Sequence, residues 1–180
     1  MKNFIFILGG VRSGKSSYAV RVAKSFGKKI AFIATGVAFD AEMKKRISLH
    51  KKNRPASWRL IEEQINIDSI LARLNKNCDA VLIDCLGLFI WNLMEKKLTD
   101  KLIEKKLHSL IREIKKCEFP VIVVSNEVGM GIVPDNHLSR RFCDLLGRAN
   151  QIFAKYAQKV IIMHAGIPLI IKDKKDEITK

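Results

Sequence analysis

Phe4-Ile-Phe-Ile-Leu8, Gly9-Gly-Val-Arg-Ser-Gly-Lys-Ser16 and Ser17-Tyr-Ala-Val-Arg-Val-Ala-Lys24 succeed one another without a break. The first is an apolar run of strand length. The second fits the pattern G-x-x-x-x-G-K-[ST]. The third has the spacing of a helix. Strand, glycine-bounded loop and helix in that order form a phosphate loop, whose backbone N–H groups converge on an anion at a helix N-terminus. Gly9 and Gly14 permit the tight backbone, and Gly10, Val11, Arg12 and Ser13 complete the cradle. Lys15 is placed to reach the β- and γ-phosphates of a nucleoside triphosphate, and the Ser16 hydroxyl to bind Mg²⁺.

Strand-like runs recur along the chain at 4–8, 30–34, 80–84, 120–125, 159–163 and 168–171. They are rich in β-branched residues and apolar on both faces, as in a covered parallel sheet. Helical patterns fall between them at 16–26, 40–52, 67–76, 86–95, 100–117 and 136–157. This alternation predicts an α/β fold of the P-loop NTPase (RecA-like) type, a mostly parallel sheet flanked by helices. We expect one nucleotide-binding domain over 1–172 and a charged, frayed tail over 173–180. Helix 100–117 carries an apolar stripe of Leu102, Ile103, Leu107, Leu110, Ile111 and Ile114, the mark of a packed surface helix.

Of 180 residues, 33 are Lys or Arg and 18 are Asp or Glu, giving a net charge of +15. The cationic pairs are scattered and do not form one stripe interleaved with aromatics. That favours anionic small ligands over nucleic acid. No apolar run reaches the roughly 20 residues of a membrane span. The apolar start is too short for a signal peptide and runs straight into the phosphate loop, so a cytoplasmic protein is expected. Cys78, Cys85, Cys117 and Cys143 form no C-x-x-C pair and no metal spacing with the histidines, which fits reduced thiols.

Asp84 closes the run 80–84. An acid there either holds Mg²⁺ through water or caps the following helix. His50 lies in a basic stretch with Arg46, Lys51, Lys52 and Arg54, next to Pro55. A histidine so placed is either a plain surface residue or a nitrogen nucleophile that accepts a nucleotidyl group among cations that hold phosphates. Residues 125–135 leave a buried strand through Asn126-Glu127 and a loop bounded by Gly129 and Gly131, at the sheet end where ligands bind. The arginines of 139–151 fit either anion binding or a solvated face.

Taken together these stretches resemble the bifunctional adenosylcobinamide kinase / adenosylcobinamide-phosphate guanylyltransferase family of cobalamin biosynthesis. The resemblance runs from Phe4 to Lys172. Its most specific strings are Arg46-Ile-Ser-Leu-His50 with Arg54-Pro-Ala-Ser-Trp58, and Asn126-Glu-Val-Gly-Met-Gly-Ile-Val-Pro134. Ile33-Ala-Thr35, Val81-Leu-Ile-Asp-Cys-Leu86, Asn92-Leu93 and Gly147-Arg-Ala-Asn-Gln151 also match. Leu49 stands where some members have a second histidine, and Leu60-Ile61 where a threonine often precedes the acid.

The resemblance implies two activities. One phosphorylates adenosylcobinamide with ATP or GTP. The other transfers GMP from GTP to adenosylcobinamide phosphate through a guanylyl-histidine at His50. It further implies nucleotide contacts from Ala34, Thr35, Gly36, Lys51, Lys52, Asn53, Arg54 and Glu62, with Glu62 accepting guanine N–H groups. Corrinoid substrates and a homotrimer are implied as partners. The 126–134 loop is expected to line the active-site cleft. The competing expectation is a small-molecule or nucleoside kinase with no covalent step.

Overall fold

A computed structural model describes residues 3–36, 55–74 and 78–174. Its elements are β1 (Phe4–Gly9), α1 (Lys15–Lys24), β2 (Ile30–Ala34), β3 (Arg59–Glu62), α2 (Ile67–Arg73), β4 (Ala80–Asp84), α3 (Leu86–Glu95), α4 (Asp100–Lys116), β5 (Val121–Asn126), α5 (His137–Tyr156), β6 (Lys159–His164) and β7 (Ile167–Asp173). The seven strands form one sheet in the order β3-β2-β4-β5-β1-β6-β7. All neighbours are parallel except β6 and β7. This is the expected α/β architecture.

The central strands bury both faces because their side chains alternate between two apolar layers. Phe4, Phe6 and Leu8 of β1 face one layer with Val81, Ile83, Val121 and Val123, under α2, α3, α4 and α5. Ile5 and Ile7 face the other with Phe32, Leu82, Ile122 and Val124, against Ala19, Val20 and Ala23 of α1. Phe153 of α5 meets the rings of Phe4 and Phe6 at 6.0 and 5.8 Å between centroids. Burying each such aromatic contributes on the order of 2–3 kcal/mol, so α5 is pinned over β1 and delivers the chain to β6 on its far side.

Three expectations change. β3 is not among the expected strands: Arg59, Leu60 and Glu62 are exposed on an edge, so its composition carries no core signal. β7 is longer than 168–171 and takes in Asp173, which is ion-paired with Lys159 at 2.8 Å, while the Lys174 N–H donates to the Gln158 carbonyl. Leu102 is 49% exposed and lies off the buried stripe of α4, which comprises Ile103, Leu107, Leu110, Ile111 and Ile114. The helix expected over 40–52 lies outside the described residues. No described helix is long and apolar enough to cross a membrane.

Candidate active site

Parallel pairing brings the C-terminal ends of five strands to one rim of the sheet. Glu62 is in register with Ala34, Ala34 with Asp84, Asp84 with Val124, and Asn126 with Gly9. From β3 to β1 the row crosses four steps of about 4.8 Å, so Glu62 and the phosphate loop stand roughly 19 Å apart. Asp84 lies midway between them.

The phosphate loop is held from three sides. A Cβ on Gly9 would sit 2.6 Å from both the Met163 carbonyl oxygen and Ser13 Oγ, so no other residue fits there. The Gly9 carbonyl accepts from the Glu127 N–H at 3.0 Å, and the Ser13 carbonyl from the Gly166 N–H at 3.1 Å. Gly166 belongs to the two-residue β6–β7 turn, where it and Ala165 both have positive φ, 83° and 50°. That is the geometry of a tight hairpin turn. Arg12 also has positive φ, at 56°, and Val11 and Arg12 are exposed at the tip.

Gly14 is the N-cap of α1. No side chain caps the helix there, and its first turn carries no acid. Its free N–H groups therefore remain available to an anion. Lys15 Nζ donates to the Gly10 carbonyl at 3.1 Å, folded back over the loop. Ser13 Oγ is buried and lacks a hydrogen-bond partner. Leaving such a hydroxyl unpaired costs about 1–3 kcal/mol.

Asp84 does not cap α3; Cys85 occupies that position, without a side-chain capping bond. Burial pushes the Cys85 thiol up to about 12, with the Asp84 charge adding to the rise and the Lys15 ammonium opposing it. Lys15 and Asp84 thus both act on the same thiol, and α1 packs against β4. Cys85 stays protonated and is no nucleophile at neutral pH. None of the four cysteines forms a disulfide.

A second set of bonds fixes the turn after β2. Thr35 Oγ1 donates to the Cys85 carbonyl and accepts from the Cys85 N–H, both at 2.8 Å. The Thr35 N–H donates to the Asp84 carbonyl, and Asn92 Nδ2 donates to the carbonyls of Thr35 (2.8 Å) and Gln64 (3.3 Å). Thr35 is fully buried, whereas Ala34 and Gly36 beside it are half-buried. Glu62 is exposed at the end of the edge strand. Glu63 accepts from the N–H groups of Ile65 and Asn66, each at 2.9 Å. Burial raises its pKa, but these bonds and the Lys106 charge outweigh that and hold the carboxyl below its ordinary value.

At the end of β5, the fully buried Ser125 Oγ donates to Asn150 Oδ1 at 2.6 Å, and Asn150 Nδ2 donates to the Asn126 carbonyl at 3.0 Å. The Glu127 carboxylate accepts from the Gly129 N–H at 2.7 Å, which closes the start of the loop. Arg140 donates to the carbonyls of Pro134 and Asp135, and Arg141 pairs with Asp100 and the Leu98 carbonyl. Those two arginines serve the chain itself, while Arg148 is exposed. Beside Asn126 opens a cavity of about 540 Å³ lined by Gly87, Leu88, Trp91, Glu95, Val128 and Phe142.

The structure therefore brings Gly9, Gly10, Ser13, Lys15 and Ser16 together, with Asp84 two strands away on the same rim. It sets Glu62 apart at the far end of the same rim. His50, Lys51, Lys52, Asn53 and Arg54 lie outside the described residues. Sequence reasoning did not single out Asn92 and Asn150 for the bonds they make, nor the cavity. The cavity's only local trace is Leu88, Trp91 and Glu95, spaced to share one helix face.

A sequence profile of the family described as cobinamide kinase / cobinamide phosphate guanyltransferase matches residues 5–171. The chain belongs to this family. It is 38% identical to the bifunctional adenosylcobalamin biosynthesis protein CobP of Pseudomonas aeruginosa, over 92% of this chain and 95% of that one. It is 35% identical to the bifunctional adenosylcobalamin biosynthesis protein CobU of Salmonella typhimurium, and to that of Escherichia coli. Each of those matches covers 93% of this chain and 99% of the relative. The RadB recombinase structure superposes with a TM-score of 0.51 at 16% identity, over 89% of this chain and 73% of that one. That likeness establishes the RecA-like P-loop fold alone.

Proposed function

We propose that this protein phosphorylates adenosylcobinamide with ATP or GTP and then guanylylates the product. The observation that carries the reading is the phosphate loop, gripped by β5 and the β6–β7 turn, with Asp84 on the same rim of the sheet, in a chain matched by the family profile over residues 5–171.

In the first reaction the substrate hydroxyl oxygen forms a bond to the γ-phosphorus, the bond to the β-phosphate oxygen breaks, and the nucleoside diphosphate leaves. The hydroxyl proton is released in the same step. Catalysis of this kind is mostly positioning and charge stabilisation. The loop N–H groups of Gly9–Ser16 hold the phosphates, and Lys15 leaves its Gly10 contact to meet the transferring group. Mg²⁺ suits the donor set, and the Ser16 hydroxyl and the Asp84 carboxylate would hold it. When bound it neutralises phosphate charge.

In the second reaction an imidazole nitrogen of His50 bonds to the α-phosphorus of GTP and pyrophosphate leaves. A phosphate oxygen of adenosylcobinamide phosphate then displaces the histidine, giving adenosylcobinamide-GDP and free His50. Ala34, Thr35, Gly36, Lys51, Lys52, Asn53, Arg54 and Glu62 form the nucleotide site for this step, with Glu62 accepting guanine N–H groups. On this reading the protein works in the cytoplasm, where nucleoside triphosphates are available.

A homotrimer is part of the same reading. Its support is the outer edge of β7, where Ile167, Leu169, Ile170 and Ile171 are all more than half exposed. An apolar sheet edge of this kind is ordinarily covered. Light scattering should give about three times the 20.5 kDa chain mass; a monomer would remove the trimer.

Incubation with adenosylcobinamide, Mg²⁺ and GTP, followed by chromatography, tests the activity. Both the phosphorylated and the GDP-bearing corrinoid should appear. Phosphorylated corrinoid alone would reduce the protein to a kinase, and neither product would sink the reading.

A further inference from the structure

The cavity beside Asn126 has the position, lining and size of an acceptor site. Asn126 forms its inner wall and is the β5 residue paired with Gly9, while the next N–H, from Glu127, bonds the Gly9 carbonyl. The cavity therefore opens beside the phosphate loop, at the β4 and β5 ends of the rim. Its walls are Leu88, Trp91, Val128 and Phe142, with Trp91 and Phe142 edge-to-face at 5.8 Å and 77°. Polar groups stand only at its ends, Asn126 towards the loop and Glu95 at the other. Apolar walls with a few fixed polar groups are the common form of a small-molecule site.

Two further observations argue for a ligand larger than the cavity itself. First, Gly87 keeps its floor open: a Cβ there would come within 3.2 Å of Asn126 Oδ1. Second, the apolar lining continues into solvent. Met130, Ile132 and Val133 lie beyond Val128 in the loop and are 79%, 98% and 75% exposed. Leu138, exposed on α5, lies one turn before Phe142. A fringe of this extent beside a cavity marks a binding surface.

We propose that this cavity and its fringe seat the corrin macrocycle of the acceptor, with its hydroxyl arm passing Asn126 to the phosphate loop. The corrin's broad apolar face lies on Trp91, Phe142, Leu88 and Val128, and its peripheral carboxamides meet Asn126 and Glu95. The assignment rests on the proposed activity for its substrate class, and on the structure alone for its location.

Equilibrium dialysis of the full chain against cobinamide, whose own absorbance reports the free ligand, tests it. Trp91→Ala removes the aromatic wall, and Val128→Glu places a carboxylate in the lining from a partly buried loop position at the margin of the core. Each should weaken cobinamide binding by at least about tenfold, as loss of a central anchor does, with GTP affinity unchanged. Cobinamide affinity held in Val128→Glu, or GTP affinity falling in step with it, would overturn the assignment, as would wild-type protein that binds no cobinamide. If Trp91→Ala fails to fold, Val128→Glu decides. A smaller particle mass in Val128→Glu with cobinamide affinity intact would give the fringe to a second copy of the chain and also overturn it. Turnover is read separately: cobinamide bound by the wild type and lost in both variants, with no phosphorylated product formed by the wild type, keeps the site and removes the reaction. Product formed by both variants at the wild-type KM keeps the reaction and removes the site.

Discussion

The two ends of the rim are built differently. At the β1 end the phosphate loop is braced at its base: Gly9 against Met163, the Gly9 carbonyl by Glu127, and the Ser13 carbonyl by the β6–β7 turn. At the β3 end Glu62 stands exposed on a short edge strand that pairs only with β2 among the described strands. The contrast suits two different tasks. Phosphoryl transfer depends on donors fixed before the substrate arrives. Reading a base needs only a few hydrogen-bonding groups at the right distance, and an edge can present those.

Lys15→Ala should produce the largest loss. It should lower kinase turnover by roughly 10²–10³-fold, the scale of removing one charge-stabilising donor, measured with ATP as donor. Near-normal turnover would break the contrast by taking the braced end out of phosphoryl transfer. Glu62→Ala should leave ATP-driven phosphorylation intact and reduce the preference for GTP over ATP in the guanylyl step. The expected change is about 10–100-fold, from guanine N–H groups left unpaired. An equal loss with both nucleotides would show that the edge does not read the base.

Smaller effects test the bracing itself. Asn150→Leu strips the buried Ser125 hydroxyl of its acceptor and should cost about 1–3 kcal/mol, seen as a fall in Tm of roughly 2–12 °C. An unchanged melt would mean the Ser125–Asn150–Asn126 chain does not stabilise the end of β5. The smallest effect concerns Glu63 beside the edge. Its folded carboxyl is held below the ordinary value, so its stabilisation is present above that ordinary value, near 4.5, and disappears as the pH falls through the lower folded value. The Tm difference between wild type and Glu63→Gln should therefore shrink below about pH 4.5. A difference that grows on acidification would reverse the sign.

How far the sequence could be read tracks how local each feature is. The phosphate loop needs glycine at fixed offsets, and Gly9 and Gly14 show it within eight residues. The central strands bury both faces, so β1, β2, β4 and β5 stand out as apolar runs. β3 does not, because an edge strand with Arg59 and Glu62 looks like any loop. Thr35, Cys85 and Asn92 interlock across 50 and 57 positions of chain, a relation no local pattern contains. The cavity is assembled from 87–95, 126–128 and Phe142, and only the fold brings those stretches together. Leu102 shows the converse failure: apolar and near the stripe, it still faces solvent, since helical phase and not composition decides burial.

Intact-protein mass spectrometry after incubation with GTP and Mg²⁺, without corrinoid, tests the covalent step most directly. One added GMP is expected, mapped by peptide sequencing to His50, stable in base, lost in acid and absent from His50→Ala. An adduct that persists in His50→Ala, or wild-type protein that makes adenosylcobinamide-GDP without ever carrying GMP, would refute a guanylyl-histidine at that position.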